Sequence, residues 1–174
     1  MLFISLDFLP SFPKNTMNQH PTIGDRLGEH LYDWQREITI KSNVLPPDTR
    51  VNVFVGGRTV GKTALCQWMQ RHMHALVVGV WFLKDIRRYV GQAAIDDKDT
   101  RLIVIDGEDP SILSEDWWGN LDEVKCGRAT NATGEALVLS SPPSIWVFLP
   151  QKPETVPFNV VLWTVDKDQK LVKI

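Results

Sequence analysis

Hydrophobic positions along the chain follow two rhythms in alternation. From about Asp25 to Ile40, Leu27, Leu31, Trp34 and Ile38 recur every three to four residues, the stripe of an amphipathic helix. Val51-Asn-Val-Phe-Val55 is a short apolar run closed by Gly56-Gly57, which predicts a buried strand. Residues 62–74 return to the helical spacing, with Leu65, Trp68, Met69 and His72 on one face and Gln67, Gln70 and Arg71 opposite. Residues 76–83 predict a second buried strand and residues 84–95 a short helix. Arg101-Leu-Ile-Val-Ile-Asp106 predicts a third strand, ending in a carboxylate. A helix near 116–126, a flexible Gly/Thr/Asn loop at 127–134 and strands at Ser144–Leu149 and Val160–Val165 complete the pattern, which contains no internal repeat. Apolar strands separated by helices predict an α/β fold in three layers, a mostly parallel sheet flanked by helices.

The ends and the composition narrow this picture. Pro10, Pro13 and Pro21 punctuate a polar stretch, so residues 1–24 are expected to form an extended arm ahead of one domain at 25–174. The opening MLFISLDFLPSFP is apolar but lacks a basic lead, contains Asp7 and breaks at Pro10; it predicts neither a membrane span nor a signal peptide, and Met17 is an alternative start. At 174 residues, one domain with its own core is the expectation. Nineteen Lys+Arg against 21 Asp+Glu leave a net charge of −2, which excludes a protein that coats DNA through a general positive surplus. The two cysteines, Cys66 and Cys126, form no CxxC or Cys/His cluster, so no disulfide framework or zinc site is indicated and a reducing, intracellular setting is expected. Asn131-Ala-Thr133 matches a glycosylation acceptor only by spelling, given that setting.

The chemistry concentrates at one loop. Gly56-Gly57-Arg58-Thr59-Val60-Gly61-Lys62-Thr63 fits GxxxxGK[ST] at every fixed position, between a strand and a helix. Glycines let successive backbone N–H groups turn inward around a phosphate, and the helix beginning near Lys62 adds the positive end of its dipole. Lys62 then supplies a mobile charge to the β/γ-phosphates of ATP, and the Thr63 hydroxyl a ligand for Mg²⁺. Asp106, at the carboxyl end of a buried strand, is placed to hold the same Mg²⁺ from the other side; capping of the following turn is its alternative role. Glu108 and Asp109 follow, either able to orient an attacking water, with Glu108 taken as the catalytic candidate.

The order of these motifs resembles one family. From about residue 31 to 165 the chain is similar to the superfamily 3 helicase domain, of the AAA+ type, in the replication initiator (Rep) proteins of circular single-stranded DNA viruses and alphasatellites. Leu31-Tyr-Asp-Trp-Gln35 resembles the tryptophan–glutamine helix that precedes the ATPase there, and Pro46-Pro47-Asp48-Thr49-Arg50 the entry to its first strand. Leu121-Asp-Glu-Val-Lys125-Cys-Gly127 is similar to the family's E-x-x-K-x-G segment. The resemblance implies that Lys125, on a pore-facing hairpin and aided by Arg128, contacts single-stranded DNA. It also implies a P-loop NTPase fold, ATP and Mg²⁺ as cofactors, assembly into a homo-oligomeric ring or with a full-length Rep, no membrane association, and action in a host nucleus.

Two departures bear on activity. Ile145-Trp-Val-Phe148 is similar to the strand that carries the family's sensor asparagine, but Pro150 stands about where the asparagine is expected and Gln151 is the nearest polar substitute. The family's arginine finger also has no counterpart, since no arginine follows Arg128. An arginine finger contributes about three to five powers of ten in rate, so the expectation is intact binding with slow hydrolysis. The nicking half of the family is not expected either. His72-Met73-His74 spells its metal motif but sits in a helix, where alternate residues diverge, and neither Tyr32 nor Tyr89 is followed by the required lysine. Trp117-Trp118 and Trp146 either stack on bases or fill the core and a subunit interface, and Arg87-Arg88 forms a charged helix face. Two functions therefore compete: a Rep-like ATPase threading single-stranded DNA, and a degenerate nucleotide-binding module acting beside an intact Rep. A small phosphotransferase needs an arginine-bearing lid after Asp106, for which only Arg128 is available.

Overall fold

The computed structural model describes residues 31–42, 50–79, 85–96, 101–107, 113–157 and 159–174. The expected arm at 1–24, the start of the first helix, Pro46–Thr49, Glu108 and Asp109 lie outside the described residues. In chain order the elements are helix α1 (Asp33–Ser42), strand β1 (Val51–Val55), helix α2 (Lys62–His72), strand β2 (Leu76–Gly79), helix α3 (Ile86–Asp96), strand β3 (Leu102–Asp106) and helix α4 (Glu115–Lys125). Strands β4 (Arg128–Thr130), β5 (Ala136–Val138), β6 (Ser144–Leu149), β7 (Val160–Val165) and β8 (Leu171–Lys173) follow.

Six strands make one sheet in the order β2-β3-β6-β1-β7-β8. The first five are parallel, and β8 returns antiparallel along β7. Parallel strands need helices over both faces, and here alternate residues of the same strand face different helices. Val51 and Val53 of β1, Ile103 and Ile105 of β3, and Ile145, Val147 and Leu149 of β6 pack against Ile86 and Val90 of α3 and Leu121 and Val124 of α4. The intervening Phe54, Val104, Trp146 and Phe148 pack against Trp34 and Ile38 of α1 and Leu65, Cys66 and Met69 of α2. One face is thus mainly aliphatic across the sheet and the other is aromatic: Trp34 stacks on Phe54 with ring centroids 4.6 Å apart and planes 13° from parallel. Truncating such a buried ring to alanine costs on the order of 3–5 kcal/mol.

The tryptophans with two open roles have one in the structure. Trp117, Trp118 and Trp146 are all buried, the first two in an edge-to-face pair 4.8 Å apart, so none presents a ring face to a base. The helical face on α2 is rotated from the one expected. Lys62, Leu65, Cys66 and Met69 are buried, Trp68 is half-buried and His72 is exposed. The helix also ends at His72, where Met73 N–H donates to the Met69 carbonyl, and His74 follows at φ 52°, so the two histidines are not both on a helix. Strand β2 is described to Gly79; the rest of the strand expected at 76–83 lies outside the described residues.

The stretch at 127–134 is not the flexible loop its composition suggests. Strands β4 and β5 pair antiparallel as a two-stranded ribbon. Its tip is closed by the Asn131 side-chain oxygen, which accepts from Thr133 N–H at 3.0 Å, Glu135 N–H at 2.8 Å and the Thr133 hydroxyl at 2.7 Å. Asparagine favours such a turn because its short amide replaces a backbone acceptor. The ribbon lies on α3 at Gly91, where a Cβ would stand 2.0 Å from the Thr130 carbonyl oxygen. Among the described residues, no helix is long and apolar enough to cross a membrane.

Close approach at Gly91 generates a paired prediction. Gly91→Ala forces backbone apart and should cost about 1–3 kcal/mol, the usual penalty of overpacking. Gly119 lies in α4, exposed, with nothing within 4 Å of an added Cβ. Gly119→Ala should therefore raise stability by about 0.5–1 kcal/mol through helix propensity. Urea unfolding of both variants checks this, and equal shifts of one sign would contradict the packing described.

Candidate functional site

The loop after β1 leaves the sheet between two strands that hold it. Gly56 N–H donates to the Leu149 carbonyl of β6 at 3.0 Å, and the Thr164 hydroxyl of β7 donates to the Val55 carbonyl at 2.8 Å. A Cβ on Gly56 would meet the Phe54 ring at 2.8 Å and Val60 at 3.1 Å, so only glycine fits against that aromatic face. Gly57 and Val60 are joined by a backbone bond of 3.4 Å, which places Arg58 and Thr59 at the exposed corner of the turn. Gly61 then takes φ 91°, a conformation that side chains with a Cβ rarely adopt, and opens α2 with no side-chain cap. The first turn of α2 contains no acidic residue. Its leading N–H groups thus form a ready site for an anion, reinforced by the helix dipole.

Helix α1 braces this loop at both ends through adjacent residues. Trp34 stacks on Phe54, the ring beneath Gly56. Gln35, 1% exposed, accepts from Tyr32 N–H at 3.0 Å and donates to the Gly61 carbonyl at 3.3 Å. In the sequence Gln35 stands out only within the Leu31–Gln35 resemblance, not as a site residue. Its position four residues after Leu31, on the apolar stripe, is the signal that a buried amide must find partners.

Topology brings the other groups to the same edge. Strand β6 lies between β1 and β3, so the carboxyl ends of all three stand side by side. Ligands in open α/β sheets bind in the crevice at that edge. A cavity of about 240 Å³ there is lined by Arg58, Lys62, Thr63, Asp106, Gly107 and Pro150. The structure thereby gathers Lys62, Thr63 and Asp106, as the spacing predicts, and adds Gly107, which sequence reasoning missed. The Gly107 N–H donates to the Phe148 carbonyl at 2.9 Å, and a Cβ would meet Leu149 at 2.8 Å. Pro150 does stand at the cavity, but it has no N–H and no side-chain polar atom; Gln151 is exposed and does not line it. Exposed Thr59 and half-buried Val60 shape the turn rather than the cavity wall.

Lys62 is 6% exposed, and its ammonium donates to the Gly56 and Gly57 carbonyls at 2.5 and 2.6 Å. Burial draws this ammonium below the ordinary lysine range, while the nearby Asp106 carboxylate acts to raise it. One turn further along α2, Cys66 is sealed in the core. Burial pushes its thiol well above the ordinary range, and the Asp106 charge adds to that push.

The two residues expected on DNA lie elsewhere, and one needs correction. Lys125 is not on a hairpin: it is the last residue of α4, 5% exposed, and its ammonium donates to the Pro143 carbonyl at 2.8 Å. Gly127, at φ 80°, turns the chain only after this point, so the lysine stays beneath the ribbon and tethers the approach to β6. In this position it presents no charge to a strand of DNA. Arg128 is exposed and pairs with Glu123 at 2.9 Å. Neither residue lines the cavity at Lys62.

No protein-family model matches the chain, and no curated protein is similar enough to mark a relative.

Burial of Cys66 beneath the loop makes a direct prediction. A thiol reagent at pH 8 should modify exposed Cys126 and leave Cys66 untouched until the protein unfolds, since the reactive thiolate of Cys66 is both inaccessible and disfavoured. Peptide mass mapping after brief labelling, with and without urea, reads both sites. Equal labelling of the folded protein would mean that α2 does not pack as described.

Proposed function

We propose that the chain binds a Mg²⁺·nucleoside triphosphate, ATP in the first instance, at the edge cavity and hydrolyses it. In this reading it is a P-loop NTPase of the AAA+ type, the ATPase domain of a Rep-like helicase serving replication of circular single-stranded DNA. The single observation that carries the proposal is the convergence of Lys62, Thr63 and Asp106, from two separate elements, on one cavity beside an uncapped helix start.

The residues present fit that ligand. The glycine turn, bare of side chains on Gly57 and left-handed at Gly61, has the form of an anion cradle. Among the described residues no three His, Cys, Asp or Glu groups cluster to hold a metal unaided. Mg²⁺ suits such a site because it binds through one or two protein ligands together with substrate phosphates, here Thr63 and Asp106. When bound it would supply positive charge against the phosphate oxygens. Lys62 would exchange its two loop carbonyls for phosphate oxygens.

A second reading has its own observation. Pro150 offers nothing to sense a γ-phosphate, and Lys125 is engaged inside the fold, which favours a nucleotide-binding module that leaves turnover and DNA contact to a partner chain. Single-strand contact would otherwise begin from Arg128, whose surface pair with Glu123 is worth about 0.2–1 kcal/mol and yields readily.

Nucleotide binding by Lys62→Ala tests the reading. The variant should keep the thermal transition of the parent while losing about tenfold to a hundredfold in affinity for Mg²⁺·ATP, the loss expected for a charge-assisted bond. Parent protein that binds no nucleotide, or a variant that binds as well as the parent, would overturn it. Turnover measured with and without single-stranded DNA separates the two readings: about 1 s⁻¹ or more marks an ATPase by ordinary enzyme standards, and binding with far slower turnover marks the module.

A further inference from the structure

Phosphoryl transfer develops charge over three equatorial oxygens and the leaving oxygen, and catalysis is mainly positioning and neutralisation of that charge. Water attacks the γ-phosphorus, the bond to the β–γ bridging oxygen breaks, and the electron pair leaves on the diphosphate. Inorganic phosphate and a proton released to solvent complete the balance. A Rep-like site is expected to draw on a polar group at the end of the sensor strand and on a neighbour's arginine. Here the end of β6 presents Pro150, without a donor, and no arginine follows Arg128.

The cavity nevertheless has an arginine in its wall. Arg58 lines the same cavity as Lys62, Thr63 and Asp106, and it is the other cationic side chain there among the described residues. It sits at the exposed corner of the Gly57–Val60 turn, at the mouth, whereas Lys62 is buried against the loop carbonyls. The two cations therefore come from different depths of one cavity. A long guanidinium at the mouth would be placed for the outermost phosphate of a bound nucleotide, and its planar fork of donors suits two oxygens at once.

We infer that Arg58 is a catalytic residue, supplying within the same chain the cation that neutralises the γ-phosphate as its bond breaks. The assignment rests on the phosphate-loop reading above. It goes further in giving the side chain of Arg58, rather than its backbone alone, a role, and in making the site independent of a neighbouring arginine. A ring is then not needed to complete the active site.

The experiment compares parent, Arg58→Ala and Arg58→Lys, each measured for ATP turnover and, separately, for affinity toward Mg²⁺·ADP and Mg²⁺·ADP·fluoroaluminate. Arg58→Ala should lower kcat by about a hundredfold to a thousandfold, the scale of one lost transition-state donor, with ADP affinity within about threefold of the parent. The tighter binding of fluoroaluminate over ADP should shrink by a similar factor, and Arg58→Lys should restore part of both. Mixing Arg58→Ala with Lys62→Ala, which has an intact Arg58, should restore no turnover, because the arginine acts within its own chain.

Turnover by Arg58→Ala close to the parent's, recovery on mixing, or a parent that binds ADP yet gains nothing from fluoroaluminate would each overturn the inference. A parent that fails to bind ADP at all would overturn the phosphate-loop reading itself, and the role of Arg58 with it.

Discussion

A loop that turns its N–H groups toward a ligand has few bonds of its own to keep its shape, so its ends must be pinned from outside. The pairing of α1 with the loop does this. Trp34 stacks on Phe54, whose ring admits only a glycine at position 56, and the next residue, Gln35, bonds to the carbonyl of Gly61 at the far end. A peptide group has its C=O and N–H on opposite sides, so a Gly61 carbonyl held by both Gln35 and the Leu65 N–H turns the Lys62 N–H the other way. The brace thus reaches the cradle through backbone geometry, without either side chain lining the cavity. Trp34 and Ile38 hold α1 on the same layer as Phe54, Trp146 and Phe148, so the brace is anchored in the core.

Electrostatics at the loop follow from the same crowding. Lys62 is neither solvated nor paired with a capping carboxylate; its ammonium rests on two carbonyls of the loop it serves, with Asp106 exerting a longer-range pull. Any phosphate it binds replaces existing bonds rather than adding to none. The net gain of such an exchange is far smaller than the strength of a charge-assisted contact, as with hydrogen bonds generally. Under the proposed reading, affinity would then rest on several groups together, the helix start and the turn amides among them.

Much of this was legible in the chain. The strands β1, β3 and β6 are covered on both faces, so they read as apolar runs, broken within β1 only by Asn52, and the glycine loop declares itself by spelling and by its strand–helix setting. Trp34 and Ile38 were marked by helical spacing and are buried on α1's inner face, and Leu31, marked with them, is buried just ahead of the helix. Elements made by closure were not legible. Strands β4, β5 and β8 have three residues each, too few for a period, and form because Asn131 and Asp166 fold the chain back on itself. Lys125 misled because its motif speaks of a charge, whereas its place at the end of α4 beside the Pro143 carbonyl decides whether that charge meets water. The reason for glycine at position 91, where the Thr130 backbone touches the helix, had no signal in the sequence.

The sheet order has a consequence for how the protein comes into being. Strand β1 is synthesised early, yet its two partners, β6 and β7, come from the last third of the chain; the hydroxyl that secures the Val55 carbonyl belongs to a residue 109 positions later. Loop closure over such separations slows folding, and contacts between neighbours in sequence cannot stand in for them. During synthesis the glycine turn and α2 emerge long before the strands that clamp them. The nascent chain therefore holds an apolar strand unpaired on both edges until β6 arrives and on one edge until β7, the kind of surface that chaperones recognise.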